Sequence, residues 1–316
     1  MSVLGNILKV KVTNENSFEN IAEKWLDDKR NNIKQSTYSN YEYMIKKYLI
    51  PHLQGKKINQ LEKVDFNQVV ESLNYKLSPK TVRDIVSILK SISFFIEGEY
   101  SCKLKMSKIK YPKQNHSNVE TFCDKDRKKI ESYCVKSKDI RNLGICLCFN
   151  TGIRIGELCA LKWNCIDLEK RIISIKYTLE RIYDTNDPNN RKTKIIMGEP
   201  KTKNSIREIP ISDKLYRVLK PLSGKYDKDS FFLTGSKEKF IEPRSYERIY
   251  KNIIKKCQVP QNKFHAIRHT FATNCIDVGM DAKSLSEILG HSTVNITLNI
   301  YVHSSYEMKK KYLEKI

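Results

Sequence analysis

Apolar residues recur every three or four positions along most of the chain, and this period is typical of amphipathic helices. In the first hundred residues, capping residues, proline and glycine mark four predicted helices: from Ser17, from Ser36 to Pro51, from residue 64 to 73, and from Ser78 to Gly98. No clear pattern precedes them. We therefore predict a tail at residues 1–16 and a helical domain at residues 17–100.

The segment at residues 101–120 differs, because lysines follow one another there with few apolar residues between them. Its lysines include Lys103, Lys105, Lys108 and Lys110. Such a segment is either a solvated linker or a basic strap that lies along a phosphate backbone. The net charge of the whole chain, described below, favours the strap.

Residues 121–316 carry a second and longer series of elements. Helices are predicted at 124–136, 138–149, 212–220 and 243–257, with a further helix that carries Arg154 and with strands between 171 and 210. A polar hairpin turn is predicted at residues 187–190. Many helices with one small β-sheet predict a mainly α fold of the α+β class.

The last fifth of the chain, residues 265–301, predicts three short helices in succession. The predicted boundaries are a stop at Gly279, a helix from Asp281 to Leu289 that Gly290 ends, and a third helix capped by Ser292. The face of the first helix predicted to be buried is Phe264, Ile267, Phe271, Cys275 and Val278. His265, Arg268 and His269 lie on one side of that helix because they are spaced i, i+3 and i+4. His291 follows a helix end and the third helix delivers Tyr301, so basic groups and a phenol converge.

The composition indicates an anionic partner. Lys and Arg number 58 against 36 Asp and Glu, and the net charge of +22 is spread over the chain. A polyanion is the partner that such an excess favours, and nucleic acid is the usual one. The nine cysteines form no C-x-x-C pair and mostly lie among apolar residues, which predicts reduced core cysteines. The chain shows no signal peptide and no apolar run of membrane-spanning length, so we expect a cytoplasmic protein.

Two motifs supply candidate phosphate ligands and a proton donor. In TGIRIGEL, Arg154 lies at the start of a helix, where the backbone N–H groups and the helix dipole favour an anion. Glu157 is on the same face and is predicted to orient that arginine or a neighbouring histidine. In PKTKNS, Lys201 is placed in a predicted hairpin from which it can donate a proton to a leaving oxygen. Lys203 is its rival for that role.

Together with the closing helices, these motifs predict phosphoryl transfer without a metal ion. Two arginines and two imidazoles would neutralise a pentacoordinate phosphate. Tyr301 would attack as the nucleophile and form a covalent intermediate. A free phenol has a pKa of about 10, so it needs a cationic pocket to react at neutral pH.

The motifs TGIRIGEL, PKTKNS with REIP, HAIRHTFAT, LGH and the final Tyr301 follow an order that resembles the tyrosine recombinase (phage-type integrase) family. The resemblance is greatest to integrases of conjugative transposons and phages of Gram-positive bacteria. It covers residues 121–305, which would form the catalytic domain (121–316), and residues 17–100 resemble the SAM-like core-binding domain. The catalytic residues that it implies are Arg154, Lys201, His265, Arg268, His291 and Tyr301. Glu157 and His269 would support the site, the latter structurally.

The resemblance also implies an activity and an assembly. The enzyme would cleave and rejoin double-stranded DNA through a 3′-phosphotyrosine link and a Holliday junction, without metal, ATP or another cofactor. The candidate DNA-binding residues are Lys103, Lys105, Lys108, Lys110 and Lys203. A homotetramer would form on DNA by exchange of a C-terminal helix at residues 305–316, and the protein would be associated with the bacterial nucleoid. Many family members carry a further N-terminal domain that binds arm sites; because the predicted tail has 16 residues, we expect no binding of arm sites.

Three alternatives stay open. A recombinase that resolves chromosome dimers has the same chemistry, although the polar hairpin at residues 183–200 favours a mobile element. A catalytically inactive DNA-binding relative would bind without forming a covalent complex. A zinc hydrolase is suggested by the HxxxH spacing of His265 and His269, but Ala266 stands where that motif has its general-base Glu, and Arg268 would place a cation beside the metal.

Overall fold

The computed structural model describes residues 17–106, 109–113, 119–184, 193–200, 203–301 and 314, with the backbone alone described at Lys203. The predicted tail and almost all of the predicted C-terminal helix lie outside these residues. The chain divides into two compact units, Met1–His116 with Ile182–Lys194 and Ser117–Arg181 with Ile195–Ile316. None of the described helices combines the length and the apolar composition needed to cross a bilayer.

The first unit is helical. Its helices are α1 Phe18–Arg30, α2 Gln35–Met44, α3 Ile50–Leu53, α4 Ile58–Leu61, α5 Phe66–Asn74 and α6 Pro79–Tyr100, with a π-helical turn, Ile45–Leu49, between α2 and α3. The side chains of Ser17, Asp65 and Ser78 accept N–H bonds in the first turns of α1, α5 and α6, which explains where these helices begin. Apolar faces from α1, the π turn, α5 and α6 form one core around Trp25.

Three predicted boundaries in this unit are wrong. Lys34, rather than Ser36, precedes α2. Pro51 lies in the first turn of α3, where a residue without an amide hydrogen is tolerated, so the chain stays helical to Leu53. Gly98 lies inside α6 with open space beside it, so it lowers helix propensity without ending the helix. The short α4 was not predicted.

The lysine-rich segment after α6 alternates between core and solvent. Its apolar side chains are buried in the first core, namely those of Cys102, Leu104, Met106 and Ile109. Lys103, Lys105 and Lys110 are exposed, while Lys108 lies outside the described residues. The expectation of few core residues here is therefore wrong, and the described lysines are exposed between buried side chains.

The second unit contains most of the remaining elements. The helices are α7 Asp124–Lys136, α8 Ile140–Thr151, α9 Ile155–Ala160, α10 Asp213–Leu219, α11 Pro243–Cys257, α12 His265–Asp277, α13 Ala282–Leu289 and α14 Val294–Tyr301. The strands are β1 Ile166–Asp167, β2 Ile172–Ile175, β3 Thr178–Tyr183, β4 Thr193–Gly198 and β5 Arg207–Pro210. Short 3₁₀ turns lie at Trp163–Cys165, Lys203–Ser205 and Lys220–Leu222. The mainly helical fold with small antiparallel sheets is confirmed, as are the bounds of α7 and α11.

Two small sheets replace the single predicted sheet. β1, β2 and β5 form an antiparallel sheet in which Ile173 faces Ile166 on one side and Ile209 on the other, and all three lie against the core. β3 pairs with β4. The segment at 199–206 therefore connects two sheets, and its prediction as a hairpin is wrong. The predicted turn at 187–190 lies outside the described residues.

Helix α8 is the centre of the second core. It is buried on nearly all sides from Asn142 to Phe149 and packs against α7, α10, α11 and α12. Eight of the nine cysteines are buried and Cys123 is exposed, so the prediction of core cysteines is confirmed for eight of them. Burial raises the pKa of most of these thiols, so they behave as small apolar side chains.

The closing helices follow their predicted order. Gly279 adopts a positive φ after α12, Asp281 caps α13, and Gly290 ends α13 in the left-handed conformation. Two details are wrong: Val278 is 83% exposed because it follows the last turn of α12, and α14 begins at Val294, so Thr293 rather than Ser292 precedes it.

Candidate active site

The turn between α8 and α9 places Arg154. Gly152 ends α8 with a φ of 66°, and a Cβ at Gly152 would meet Phe271 and Leu289 side chains at 2.5 and 2.8 Å, so glycine is required there. Arg154 is the residue before α9 rather than part of its first turn. Its Nη1 donates to Glu157 Oε1 at 2.8 Å, and its Nη2 donates to the Gly290 carbonyl at 3.0 Å.

Glu157 orients two arginines. It is 2% exposed and accepts hydrogen bonds from the backbone and side chain of Arg154 and from both Nη atoms of Arg207, at 2.8 to 3.1 Å. Burial acts to raise the pKa of this carboxyl, but the adjacent Arg207 and Arg154 bring it below its usual value. Glu157 thus contacts Arg154, the arginine that we expected it to orient, and it also binds Arg207, which the sequence analysis did not single out.

Arg268 is held by the ends of two helices. It is 3% exposed, and its two Nη atoms donate at 2.8 Å to the carbonyls of Gly152 and Leu289, which terminate α8 and α13. The negative ends of two helix dipoles thus face the guanidinium. Burial, followed by the charge of Arg154, lowers the pKa of Arg268 to about 9, so it is cationic at neutral pH.

Tyr301, the last residue of α14, is 7% exposed, and its Oη lies 2.7 Å from His269 Nδ1. Burial raises the pKa of the phenol, and the charges of Arg268 and Arg154 oppose that rise. The His291 ring is parallel to the Tyr301 ring with 6.5 Å between centroids, and the His265 and His269 rings meet edge to face at 4.5 Å.

The imidazoles of His265 and His291 are neutral in this environment. Burial, followed by the nearby positive side chains, lowers the pKa of His265 and of His291 to about 4. His291 Nδ1 is hydrogen-bonded to Thr297 Oγ1 at 2.8 Å, which fixes the ring. Both imidazoles border the arginines and can donate a hydrogen bond to an anion through a ring N–H.

Arg154 borders two pockets of this unit, with volumes of about 330 and 440 Å³. Glu157, Ser205, Gly290 and His291 line the first, and His265 and Arg268 line the second. Two arginines and two histidines thus line these pockets. This arrangement suits a phosphate, whose oxygens accept bidentate arginine hydrogen bonds.

The structure does not place every predicted site residue. Lys201 and the side chain of Lys203 lie outside the described residues. Asn204 and Ser205, which come next in the sequence, reach the site. Asn204 Nδ2 donates to the Ser292 carbonyl at 3.4 Å, and Ser205 Oγ donates to the Gly290 carbonyl at 3.5 Å. Within the described part of the chain, no group of three or more His, Cys, Asp or Glu side chains is arranged to hold a metal ion.

The hydrogen bonds of Glu157 predict that its replacement lowers the stability of the fold. Replacement of Glu157 by Gln leaves the buried Arg207 guanidinium without its counter-charge, and breaking a buried pair in this way costs about 3 kcal/mol. We expect that loss in the free energy of unfolding, measured by urea titration at neutral pH. Because the folded-state pKa of Glu157 is lowered, the loss should shrink as the pH falls through that pKa. The exposed Glu169→Gln control should change the free energy by less than about 0.5 kcal/mol; a similar small change for Glu157→Gln would contradict the prediction.

Comparisons with known proteins agree with the geometry. The sequence model of the phage integrase family matches residues 113–308, and that of the phage integrase N-terminal SAM-like domain matches residues 17–74. A XerC-like tyrosine recombinase of Caldanaerobacter subterraneus subsp. tengcongensis is 31% identical over 306 residues, which cover 90% of this chain and 78% of the relative. The transposase of transposon Tn916 from Enterococcus faecalis is 30% identical over 191 residues, which cover 54% of this chain and 45% of that protein.

A solved structure has the same fold. The Tn1549 transposon integrase in complex with transposon right end DNA superimposes with a TM-score of 0.74 and 21% identity, over 94% of this chain and 99% of that one. The family match covers well over half of the chain, and the XerC-like relative spans nearly all of it. This chain therefore belongs to the phage integrase family of tyrosine recombinases, which break and rejoin DNA.

Proposed function

We propose that the chain recombines specific sites in double-stranded DNA to integrate or excise a mobile element, with Tyr301 as the nucleophile. The observation that carries this proposal is the environment of the phenol. Its Oη is hydrogen-bonded to His269, and the charges of Arg268 and Arg154 act on it. A phosphate bound by those guanidinium groups would lie beside the buried phenol of Tyr301.

The roles of the site residues follow from their chemistry. Arg154 and Arg268 bind the non-bridging oxygens of the scissile phosphate, and His265 and His291 donate further hydrogen bonds as negative charge develops. The Tyr301 oxygen forms a bond to phosphorus while the bond from phosphorus to the 5′-oxygen breaks. The covalent link retains the energy of the broken bond, so a 5′-hydroxyl can reverse the step without ATP. Glu157 acts through the arginines that it orients.

Lys201 is the proposed proton donor to the departing 5′-oxygen, with Lys203 as its rival. Support comes from the residues that follow, because Asn204 and Ser205 contact the carbonyls of Ser292 and Gly290 on either side of His291. Lysine has a flexible four-carbon side chain, so a lysine that precedes these residues in sequence suits the role of proton donor.

DNA binding and assembly are further parts of the proposal. We assign DNA contacts to Lys103, Lys105, Lys108, Lys110 and Lys203, and take residues 17–100, 101–120 and 121–316 as core-binding domain, basic linker and catalytic domain. The exposed lysines that alternate with buried residues support a strap. The related Tn1549 structure contains transposon DNA. Four copies would assemble on two DNA sites through exchange of the helix at 305–316, in the bacterial cytoplasm with the nucleoid.

Resolution of chromosome dimers is the second candidate, because the XerC-like relative matches at 31% identity. The Tn916 transposase match and the TM-score of the Tn1549 integrase favour a mobile element. The position of the cleaved sequence distinguishes the two functions. An integrase cleaves at the ends of an integrated element, whereas a resolving recombinase cleaves at a single chromosomal site.

The test is covalent capture of DNA. A duplex is selected from random sequence for tight binding to the full chain and is then prepared with nicks at successive positions, so that cleavage near a nick releases a short fragment and traps the enzyme. We expect an adduct on denaturing gels, joined to a 3′ phosphate, that forms equally well with EDTA present. A bound duplex that never becomes attached, or an adduct at a 5′ end, would refute the proposal.

A further inference from the structure

We propose that His269 is a catalytic residue: its Nδ1 takes the phenolic proton of Tyr301 as the tyrosine attacks the scissile phosphate. The inference rests on the proposed function and adds to it the destination of one proton. The sequence resemblance implies a structural role for His269, so this assignment departs from that expectation.

Geometry selects His269 among the histidines of the site. Its Nδ1 lies 2.7 Å from Tyr301 Oη, within the reach that proton transfer requires. The Nδ1 of His291 is engaged by Thr297 Oγ1, and its ring is parallel to the Tyr301 ring with centroids 6.5 Å apart. His265 contacts the His269 ring rather than the phenol. Of the described imidazoles, that of His269 therefore makes the hydrogen bond to the nucleophile.

The packing of three elements holds this pair together. His269 is the residue after Arg268 on α12, whose guanidinium is fixed by two helix ends. Tyr301 is the last residue of α14 and packs in a small core with Ala272 of α12 and with Leu285 and Leu289 of α13. An acceptor and a donor fixed in this way lose little freedom when the proton moves.

The protonation states suit a transfer from the phenol to the imidazole. Burial, then Arg268, lowers the pKa of His269, and Glu120 opposes this change, so the ring is neutral and can accept a proton at neutral pH. Burial raises the pKa of Tyr301, so the phenol keeps its proton until an acceptor removes it. The charged or titratable groups around the pair are His265, Arg268 and Cys275 on α12, His291 after α13, Arg154 before α9, and Glu120 before α7.

The proton leaves Tyr301 Oη for His269 Nδ1, the phenolic oxygen bonds to phosphorus, and the 5′-oxygen departs with a proton from the lysine of the proposed function. In the rejoining step the protonated imidazole returns its proton to the tyrosine oxygen. Arg268 stabilises the negative charge on that oxygen while it is between the two partners.

The rival interpretation is that the hydrogen bond only positions the ring of Tyr301. The His269→Asn variant distinguishes a base from a positioning residue, because an asparagine side chain offers a hydrogen-bond acceptor near the place of Nδ1 but does not titrate. The rate of adduct formation is measured against pH, with a duplex that carries sulfur in place of the 5′-bridging oxygen at the mapped cleavage position. A thiolate leaves without being protonated, so the acid of the reaction is not needed and the base is observed alone.

In the wild-type protein we expect the rate to fall as the pH falls through the lowered pKa of His269, below its ordinary value of about 6.5. His269→Asn should slow adduct formation by at least about 100-fold at neutral pH, and its rate should keep rising with pH because hydroxide must then ionise the phenol. The control His52→Asn, at an exposed histidine of the first unit, should match the wild type.

The outcomes separate this inference from the proposed function. If the wild type forms the adduct and Tyr301→Phe does not, but His269→Asn keeps the rate and the pH profile of the wild type, His269 is a positioning residue and the inference fails alone. A wild-type rate that stays constant down to the lowest pH at which the protein remains folded and bound to DNA overturns it as well, without any variant. If Tyr301→Phe still forms the adduct, the proposed function fails instead.

Discussion

Replacement of Tyr301 by Phe abolishes attachment of the protein to a nicked DNA duplex and leaves its affinity for the intact duplex unchanged. The substitution removes the oxygen that would bond to phosphorus, and loss of a nucleophile lowers a rate by on the order of 10⁴-fold or more. The fold should survive, because the ring keeps its packing among Ala272, Leu285 and Leu289 and gives up one hydrogen bond. Adduct on denaturing gels and binding by mobility shift measure the two effects.

The matched control is Tyr250→Phe. Tyr250 is also buried in the second unit, and its hydroxyl donates to the Asn262 carbonyl at 2.9 Å, so the same atom is removed from a similar environment. We expect Tyr250→Phe to form the adduct. Adduct formation by Tyr301→Phe at the level of this control would remove Tyr301 from the role of nucleophile.

The helix boundaries that the sequence predicts correctly are those with local chemical causes. Ser17 and Ser78 cap α1 and α6 with their own side chains, Asp281 caps α13, and Gly290 ends it in a left-handed conformation. Each of these signals acts within a few residues, so it can be read without knowledge of the fold. The spacings within residues 265–301 predicted that Arg268, three histidines and Tyr301 approach one another, whereas Arg154 was added to them by the family resemblance.

The errors arise at positions where contacts with residues distant in sequence determine whether a helix continues or where a side chain points. Pro51 follows a π turn that the period of the apolar residues does not reveal, and Gly98 is harmless because no side chain packs beside it. Arg207 reaches Glu157 because β5 lies at the edge of a sheet whose pairing with β2 is set by tertiary structure. The REIP motif contains Arg207, but nothing local in it shows which way the guanidinium points.

The contact between His269 and Tyr301 also joins residues that are distant in sequence. The two residues are 32 positions apart, and their meeting depends on the turns at Gly279 and Gly290 that fold α13 between α12 and α14. The spacing of His265, Arg268 and His269 indicates that they share a face, but it does not rank them by distance from the phenol. Geometry was therefore needed to distinguish the histidine that touches the nucleophile.

Replacement of Arg154 by Ala should slow adduct formation by on the order of 10²- to 10³-fold, the usual effect of losing one donor to a developing oxyanion. Arg154 is the better of the two arginines for this test. Arg268 is buried and satisfies two helix-end carbonyls, so Arg268→Ala would also destabilise the fold. The side chain of Arg154 is 36% exposed, and Glu157 keeps its pair with Arg207 when Arg154 is removed. The thermal unfolding midpoint should therefore stay near that of the wild type.

Arg154→Lys distinguishes charge from geometry at the same position. Lysine keeps the positive charge but cannot donate two parallel hydrogen bonds to a phosphate, so we expect a rate between those of the wild type and Arg154→Ala. Arg217→Ala, at an exposed arginine on α10 that does not line either pocket, should leave the rate unchanged. If Arg154→Ala forms the adduct as fast as Arg217→Ala, Arg154 does not bind the scissile phosphate. A phosphate held without Arg154 would then lie beside Arg268 and His265, which line the second pocket.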